Sequence, residues 1–261
     1  MRPLRSIVQR FLPAALLAMT YAPHCAGAAP SLSLLYSPPG ASAMTADIQG
    51  NIYLTGTTTG SLPATQGGAQ PQYPGALCPQ PAFFGPPPPP LPCTAAFALK
   101  LQASTGTVAW ATYLGGYTND GGTGIAVDPE GNVYVAGYTN GHFPTTAGSY
   151  MPGSSGGMFA VKVSADGGQL VYSTLLPGPA PIPASIVSTD FIPTPHIAAD
   201  PQGNAYITGP SLAEAFFVMK LNPEGSAPLY NGTPVAAAPV AIAVDAGGNA
   251  YLTGEAEQAC R

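Results

Sequence analysis

The sequence predicts an all-β fold of stacked antiparallel sheets, and three observations carry the prediction. One pattern occurs four times: an apolar run, a turn reading Asp-x-x-Gly-Asn, and a second run rich in Tyr, Val, Ile and Thr. Its copies place Asp47, Gly50, Asn51 and Tyr53, then Asp128, Gly131, Asn132 and Tyr134, then Asp200, Gly203, Asn204 and Tyr206, and last Asp245, Gly248, Asn249 and Tyr251 at matching positions. Two β-prone runs joined by such a turn are a hairpin signal. A lone hairpin is marginal in water, so four copies require sheets that bury one another. Finally, no segment after residue 28 carries helical periodicity over a useful length.

The elements follow in order. Residues 31–37 (SLSLLYS) resemble Gln169–Thr174 and read as an orphan outer strand whose own sheet lies elsewhere in the chain. The first unit covers 41–116: a hairpin, a Pro-rich insertion over 66–92, the alternating strand Ala96–Leu101 and a fourth strand Thr107–Tyr113. The insertion contains five consecutive prolines, Pro86–Pro90. With fixed φ and no N–H donors they make an extended surface loop, not a strand. The second unit, 122–176, is the cleanest; the third, 195–231, ends in a weak strand at Ala227–Tyr230; the fourth, 239–254, has only its first hairpin. Successive Gly-Asn turns stand 81, 72 and 45 residues apart. Loops of varying length on a constant strand set produce that spread.

Gly and Pro number 32 each in 261 residues, near the level that suggests low complexity, but the regular return of strands argues for a packed fold. Residues 1–28 read as a secretory signal: Arg2, Arg5 and Arg10, an apolar core over Phe11–Met19, and the small-x-small site Ala26-Gly27-Ala28. That core is too short to span a bilayer comfortably, so the mature chain is expected to be exported (secreted, periplasmic or on the cell surface) and not membrane-spanning. Cleavage would leave four Lys and Arg against twelve acids. So acidic and Lys-poor a chain is unsuited to nucleic acid, whose phosphates need clustered cations. Cys78 and Cys93 flank one loop of an exported chain and are expected to form a disulfide.

Five segments occur in a fixed order: GIAVD at Gly124–Asp128, GN-x-Y-x-x-G at Gly131–Gly137, FPTT at Phe143–Thr146, F-x-x-K at Phe159–Lys162 and QLVYST at Gln169–Thr174. Together they resemble the bacterial SBBP β-propeller repeat, and the Asp-x-x-Gly-Asn-x-Tyr portion is also similar to NHL repeats. The resemblance covers roughly 31–254 and is strongest over Gly122–Leu175. It implies a radial array of four-stranded blades over 29–261, here an incomplete propeller of about three and a half blades. It implies no chemistry, because no catalytic motif belongs to the repeat. A single tryptophan, Trp110, counts against quinone-cofactor and WD-repeat propellers, whose repeats each carry one.

Carboxylate and carbonyl oxygens at the Asp turns invite a calcium reading. Each turn offers one Asp and one Asn, too few ligands for a cage, so the Asp is read as a turn cap and no cofactor or metal is assigned. Asn119-Asp120-Gly121-Gly122 shares that handicap. Gly153–Gly157 matches G-x-S-x-G but lies in a Gly-rich loop between strands, without the following helix a nucleophile elbow needs. The only lysines, Lys100, Lys162 and Lys220, share one place in the repeat. Both faces of a blade meet neighbours, so each is expected to run its stem along apolar surface toward a carboxylate or turn carbonyls. The unrepeated reactive residues are His142, His196, Asp120, Asp190, Glu214, Glu255 and Glu257, with no spacing that joins them as acid, base or nucleophile.

The expectation is therefore a non-catalytic scaffold or binding surface for an unidentified protein or carbohydrate ligand. The alternative is a secreted polysaccharide-acting hydrolase or lyase with its site at the hub, which needs two facing carboxylates.

Overall fold

The four turns and their flanking runs fold as antiparallel hairpins, and each of the first three hairpins is extended by two more strands. In the computed structural model the described residues are 40–79, 85–153, 155–179, 194–211, 216–235 and 237–256. The expected signal segment, the orphan strand at 31–37, and Asp190, Glu214 and Glu257 lie outside them.

The first sheet holds β1 (Ala41–Ala46) and β2 (Ile52–Thr58). The insertion adds a two-stranded patch, β3 (Leu77–Cys78) with β4 (Leu91–Pro92). β5 (Ala95–Leu101) and β6 (Val108–Leu114) then complete the order β1-β2-β5-β6. The second sheet is β7 (Asp120–Val127), β8 (Val133–Thr139), β9 (Gly157–Val163) and β10 (Leu170–Leu176), paired in sequence order. The third is β11 (His196–Ala199), β12 (Ala205–Pro210), β13 (Phe216–Leu221) and β14 (Pro228–Val235). The fourth sheet, β15 (Ala237–Val244) with β16 (Ala250–Ala256), has two strands among the described residues.

Several boundaries differ from the expected ones, and the fourth hairpin runs from Ala237 to Ala256 in place of the expected 239–254. β7 begins at Asp120, ahead of residue 122, because Asp120 and Gly121 pair with Thr139 and Tyr138. β14 runs past 231 to Val235, because its ladder with β13 continues from Pro228 opposite Leu221 to Val235 opposite Phe216 across register shifts.

The first strands β1, β7, β11 and β15 pack side by side in that order. Period-two alternation then gives every sheet two apolar faces. Val133, Val135, Phe159, Val161 and Val163 of the second sheet meet Tyr53, Ala96, Ala98 and Trp110 of the first. The opposite face of the second sheet offers Tyr134, Ala136, Met158, Ala160 and Tyr172 to Ile207, Met219 and Leu221 of the third. Small residues on one face receive branched and aromatic residues from the next, which keeps these interfaces dense.

The segments leading out of the first two hairpins cover the outer edges of their sheets. Thr65 N–H donates to Ala111 O on β6, and Thr146 N–H donates to Ser173 O on β10. Both contacts fall within the Leu-Pro-Ala-Thr and Phe-Pro-Thr-Thr segments, so these satisfy strand edges that would otherwise stand open. Pro86–Pro90 are exposed and lie in no strand. Nearby, Cys78 and Cys93 are joined by a disulfide, with their Cα atoms 5.0 Å apart.

Candidate functional site

The turn between the first two strands repeats atom for atom. Asp128 Oδ1 accepts the backbone N–H of Asn132 at 2.8 Å, and Oδ2 accepts the Asn132 amide at 2.9 Å and the Tyr134 hydroxyl at 2.8 Å. Asp47 makes the same bonds with Asn51 and Tyr53, and its Oδ1 also accepts Gln49 N–H. Asp200 does so with Asn204, Tyr206 and Gln202, and Asp245 with Asn249, Tyr251 and Gly247. Asp begins the turn because its two oxygens close both ends of the loop, and Asn ends it because its amide supplies the second donor.

This bonding sets the titration. Burial pulls the Asp47 and Asp200 carboxyls upward, but the hydrogen bonds from Asn and Tyr outweigh it, and both lie below the ordinary carboxylate range. The Asn249 amide, Asn249 N–H and Tyr251 hydroxyl lower Asp245 likewise. The tyrosines move the other way: burial first, then the neighbouring Asp, pushes Tyr53 and Tyr134 far up. They are donors held neutral, not acids.

Each lysine stands directly across the ladder from its tyrosine: Lys100 opposite Tyr53, Lys162 opposite Tyr134 and Lys220 opposite Tyr206. The ammonium lies over the ring, at 5.1, 5.0 and 4.7 Å from the centroid respectively. Lys162 reaches Asp128 at 3.8 Å and Lys220 reaches Asp200 at 3.2 Å. One strand further out, Trp110 is opposite Lys100, Tyr172 opposite Lys162 and Tyr230 opposite Lys220. A column of ring, ammonium and ring therefore crosses three strands of each full sheet.

The column also reaches the next sheet, at two points. At the inner one, the Tyr134 hydroxyl lies 3.0 Å from Gly203 O in the third turn, and the Tyr206 hydroxyl 3.0 Å from Gly248 O in the fourth. At the outer one, Trp110 Nε1–H donates to Ala165 O at 3.0 Å, beside Gly167. A Cβ on Gly167 would stand 2.5 Å from the Trp110 ring, and one on Gly225 would stand 2.3 Å from the Tyr172 ring. Both glycines have positive φ, so conformation and space each require them. Sequence reading missed this outer contact because its aromatic is Trp once and Tyr twice. The signal was positional: Trp110, Tyr172 and Tyr230 are each the third residue of their strand.

The four turns surround a depression of about 320 Å³, lined among others by Ile48, Gln49, Pro129, Pro201 and Ala246. These lie between Asp and Gly, where the first position reads Ile48, Pro129, Pro201 and Ala246 in the four turns, and Ile48 is 93% exposed. The carboxylates of Asp47, Asp128 and Asp245 border the same space, with both oxygens of each bonded inside its own turn.

The unrepeated reactive residues are dispersed. Asp120 is buried at the start of β7, where its Oδ2 accepts Gly116 N–H at 2.8 Å and its Oδ1 has no partner. Burial pushes its carboxyl up to about 7, against the hydrogen bond from Gly116 N–H. Asn119 Oδ1 instead accepts Thr94 N–H, so the two residues do not share a ligand site. His142 has φ 55° and its ring lies 6.2 Å from that of Tyr117. His196 pairs with Thr208 on β12, and burial lowers its imidazole. Gly157 opens β9, so a strand follows the Gly153–Gly157 loop. Among the described residues no three of His, Cys, Asp and Glu gather as metal ligands, and no helix is long and apolar enough to cross a membrane.

No curated protein matches the chain. The beta-propeller repeat family SBBP matches residues 41–63 and 109–144. The first match spans β1, β2 and the Leu62-Pro63 edge cover; the second runs from β6 through β7 and β8 to Phe143-Pro144. The repeat in sequence is thus offset from the sheet in space, starting on the last strand of one sheet and ending beyond the second strand of the next. With its antiparallel four-stranded sheets, the chain is similar to SBBP beta-propeller repeats over those two segments.

Proposed function

We propose that the protein is an exported, non-catalytic scaffold that binds a protein or carbohydrate ligand at the depression between the four turns. One observation carries the reading: bonded and exposed turn residues face opposite ways in function. Asp, Asn and Tyr of each repeat bond to one another, so the carboxylates that border the depression are occupied within their turns, while the exposed Ile48, Pro129, Pro201 and Ala246 on its rim make no such bonds. Exposed loop residues on a rigid repeated frame are the usual way such a fold acquires a ligand surface. A hub hydrolase would need one carboxylate poised as an acid and another as a base, whereas bonding draws Asp47, Asp200 and Asp245 below the ordinary carboxylate range. The disulfide at Cys78–Cys93 supports export, since such bonds persist in oxidising compartments.

The test is a screen of the purified protein on polysaccharide, ester and peptide substrates, run beside a capture assay with panels of polysaccharides and envelope proteins. Capture by the wild type and its loss in Ile48→Arg, without turnover, is the expected outcome. Turnover that disappears on replacing His142 or His196 would place the protein among enzymes.

A further inference from the structure

The insertion in the first sheet lies outside the repeat. The connection from the second to the third strand covers 59–94 in the first sheet, against 140–156 in the second and 211–215 in the third. Its far end is anchored. Cys93 is buried and disulfide-bonded to Cys78, and its N–H donates to Ala76 O at 2.9 Å. The Tyr73 hydroxyl donates to Cys93 O, and the Tyr73 ring packs 5.7 Å from that of Tyr113 on β6. Thr94 N–H then donates to Asn119 Oδ1 at 2.9 Å, which ties the base to the loop ahead of β7.

From this base the segment Pro86–Pro92 stands in solvent, exposed at every position. All of its residues except Leu91 are proline. Each of Pro86–Pro89 precedes another proline, so both of its backbone dihedrals are held to extended values. Polyproline II geometry follows, in which residues three apart lie on one edge at a spacing of about 9 Å. Three proline pairs have that spacing: Pro86 with Pro89, Pro87 with Pro90, and Pro89 with Pro92. Leu91 pairs with Cys78 and Pro92 with Leu77, which fixes this end of the run to the disulfide-closed patch. None of these residues lines the depression between the turns.

We propose that Pro86–Pro92 is a docking ligand for another protein, one whose surface carries a groove of aromatic side chains with Trp or Tyr donors. The chemistry of the run selects this partner. Its rings offer apolar faces to aromatic slots, and its carbonyls, unpaired within a polyproline helix, take N–H or O–H donors. Pro86–Pro90 have no N–H, so the run cannot extend the edge of a partner's sheet, and it gives sugar hydroxyls no donor. No charged residue occurs between Asp47 and Lys100, so the segment brings no ion pair to the contact. Fixed dihedrals and an anchored base leave little conformational freedom to lose on binding.

A panel of isotope-labelled WW, SH3 and EVH1 domains, whose grooves are lined by aromatic side chains, provides the probe. Each domain is titrated with the intact protein and its chemical shifts are followed. Saturable shifts at the groove residues of at least one domain are expected, with an affinity that survives salt raised to about 0.5 M. Pro87→Ala with Pro89→Ala breaks all three proline pairs. It should weaken binding about tenfold or more at an unchanged melting temperature. Ile48→Arg should bind as the wild type does, which separates this surface from the depression. The proposal fails if no domain of the panel shows groove shifts, if the double variant binds equally, or if salt abolishes binding. Retention of the wild type on a polysaccharide, lost in the double variant, would also overturn it by making the run a carbohydrate contact.

Discussion

Replacing Tyr134 by Phe removes one oxygen atom and leaves the ring under the Lys162 ammonium. The lost hydroxyl lies 2.8 Å from the Asp128 carboxylate and 3.0 Å from Gly203 O of the next sheet. No water reaches the site, because Tyr134 is fully buried, so Asp128 Oδ2 keeps only Asn132 and the more distant Lys162. A hydrogen bond to a charged group is worth roughly 1.5–3 kcal/mol, and its loss in a buried site carries the desolvation of the abandoned acceptor as well. With a urea m-value on the order of 3 kcal/mol/M, the unfolding midpoint should fall by about 0.5–1 M. Tyr251→Phe is the internal control. It deletes the same hydroxyl from the same turn geometry, but on an exposed ring, and the midpoint should not move measurably. Urea denaturation followed by Trp110 fluorescence measures both. Equal shifts in the two variants, or none in Tyr134→Phe, would refute the view that this hydroxyl couples neighbouring sheets.

Three further outcomes follow from the geometry. Gly225→Ala should destabilise by about 1–3 kcal/mol or more, since it adds a clash with the buried Tyr172 ring to a positive-φ strain; Gly148→Ala, with similar φ and nothing within 4 Å, should cost less. Asp120 keeps its proton in the folded state up to about 7 but loses it near 3.8 when unfolded, so the folded state binds the extra proton between those values. Its contribution is full below about 4 and is lost as pH rises toward and through 7, a difference on the order of 4 kcal/mol; Asp120→Asn should flatten the pH profile of the urea midpoint over that window and raise it above pH 7. Closing a loop of 15 residues contributes about 3 kcal/mol in the chain-entropy picture, so Cys78→Ser with Cys93→Ser should lower the melting temperature. Thiol titration of denatured, unreduced residues 29–261 should find one free cysteine, and three would contradict the bond.

The hairpins were legible because local chemistry alone forms them. Asp and Asn close the turn within a few residues, Gly takes the positive φ, and alternating runs leave it on either side. The sheet order was legible for a similar reason, since successive strands pair within each sheet and only the β3–β4 patch of the insertion stands aside. What joins one sheet to the next was not. The Tyr134 hydroxyl meets Gly203, and Tyr172 meets Gly225, across distances in sequence that no periodicity reports. The depression was hidden too, because its lining comes from four turns far apart in sequence. Residue 231 was placed as an end because Pro228 and Gly232 weaken strand character, while pairing with β13 carries β14 on to Val235.

The separation of frame from binding surface is tested most directly by one paired measurement on Asp128→Asn and Ile48→Arg. Melting temperature and ligand capture are read on each, with capture measured well below the melting transition. We predict that Asp128→Asn lowers the melting temperature and retains capture, and that Ile48→Arg retains the melting temperature and loses capture. Capture or turnover abolished by Asp128→Asn in a protein still folded at the assay temperature would contradict this and make the repeated carboxylates part of the functional site.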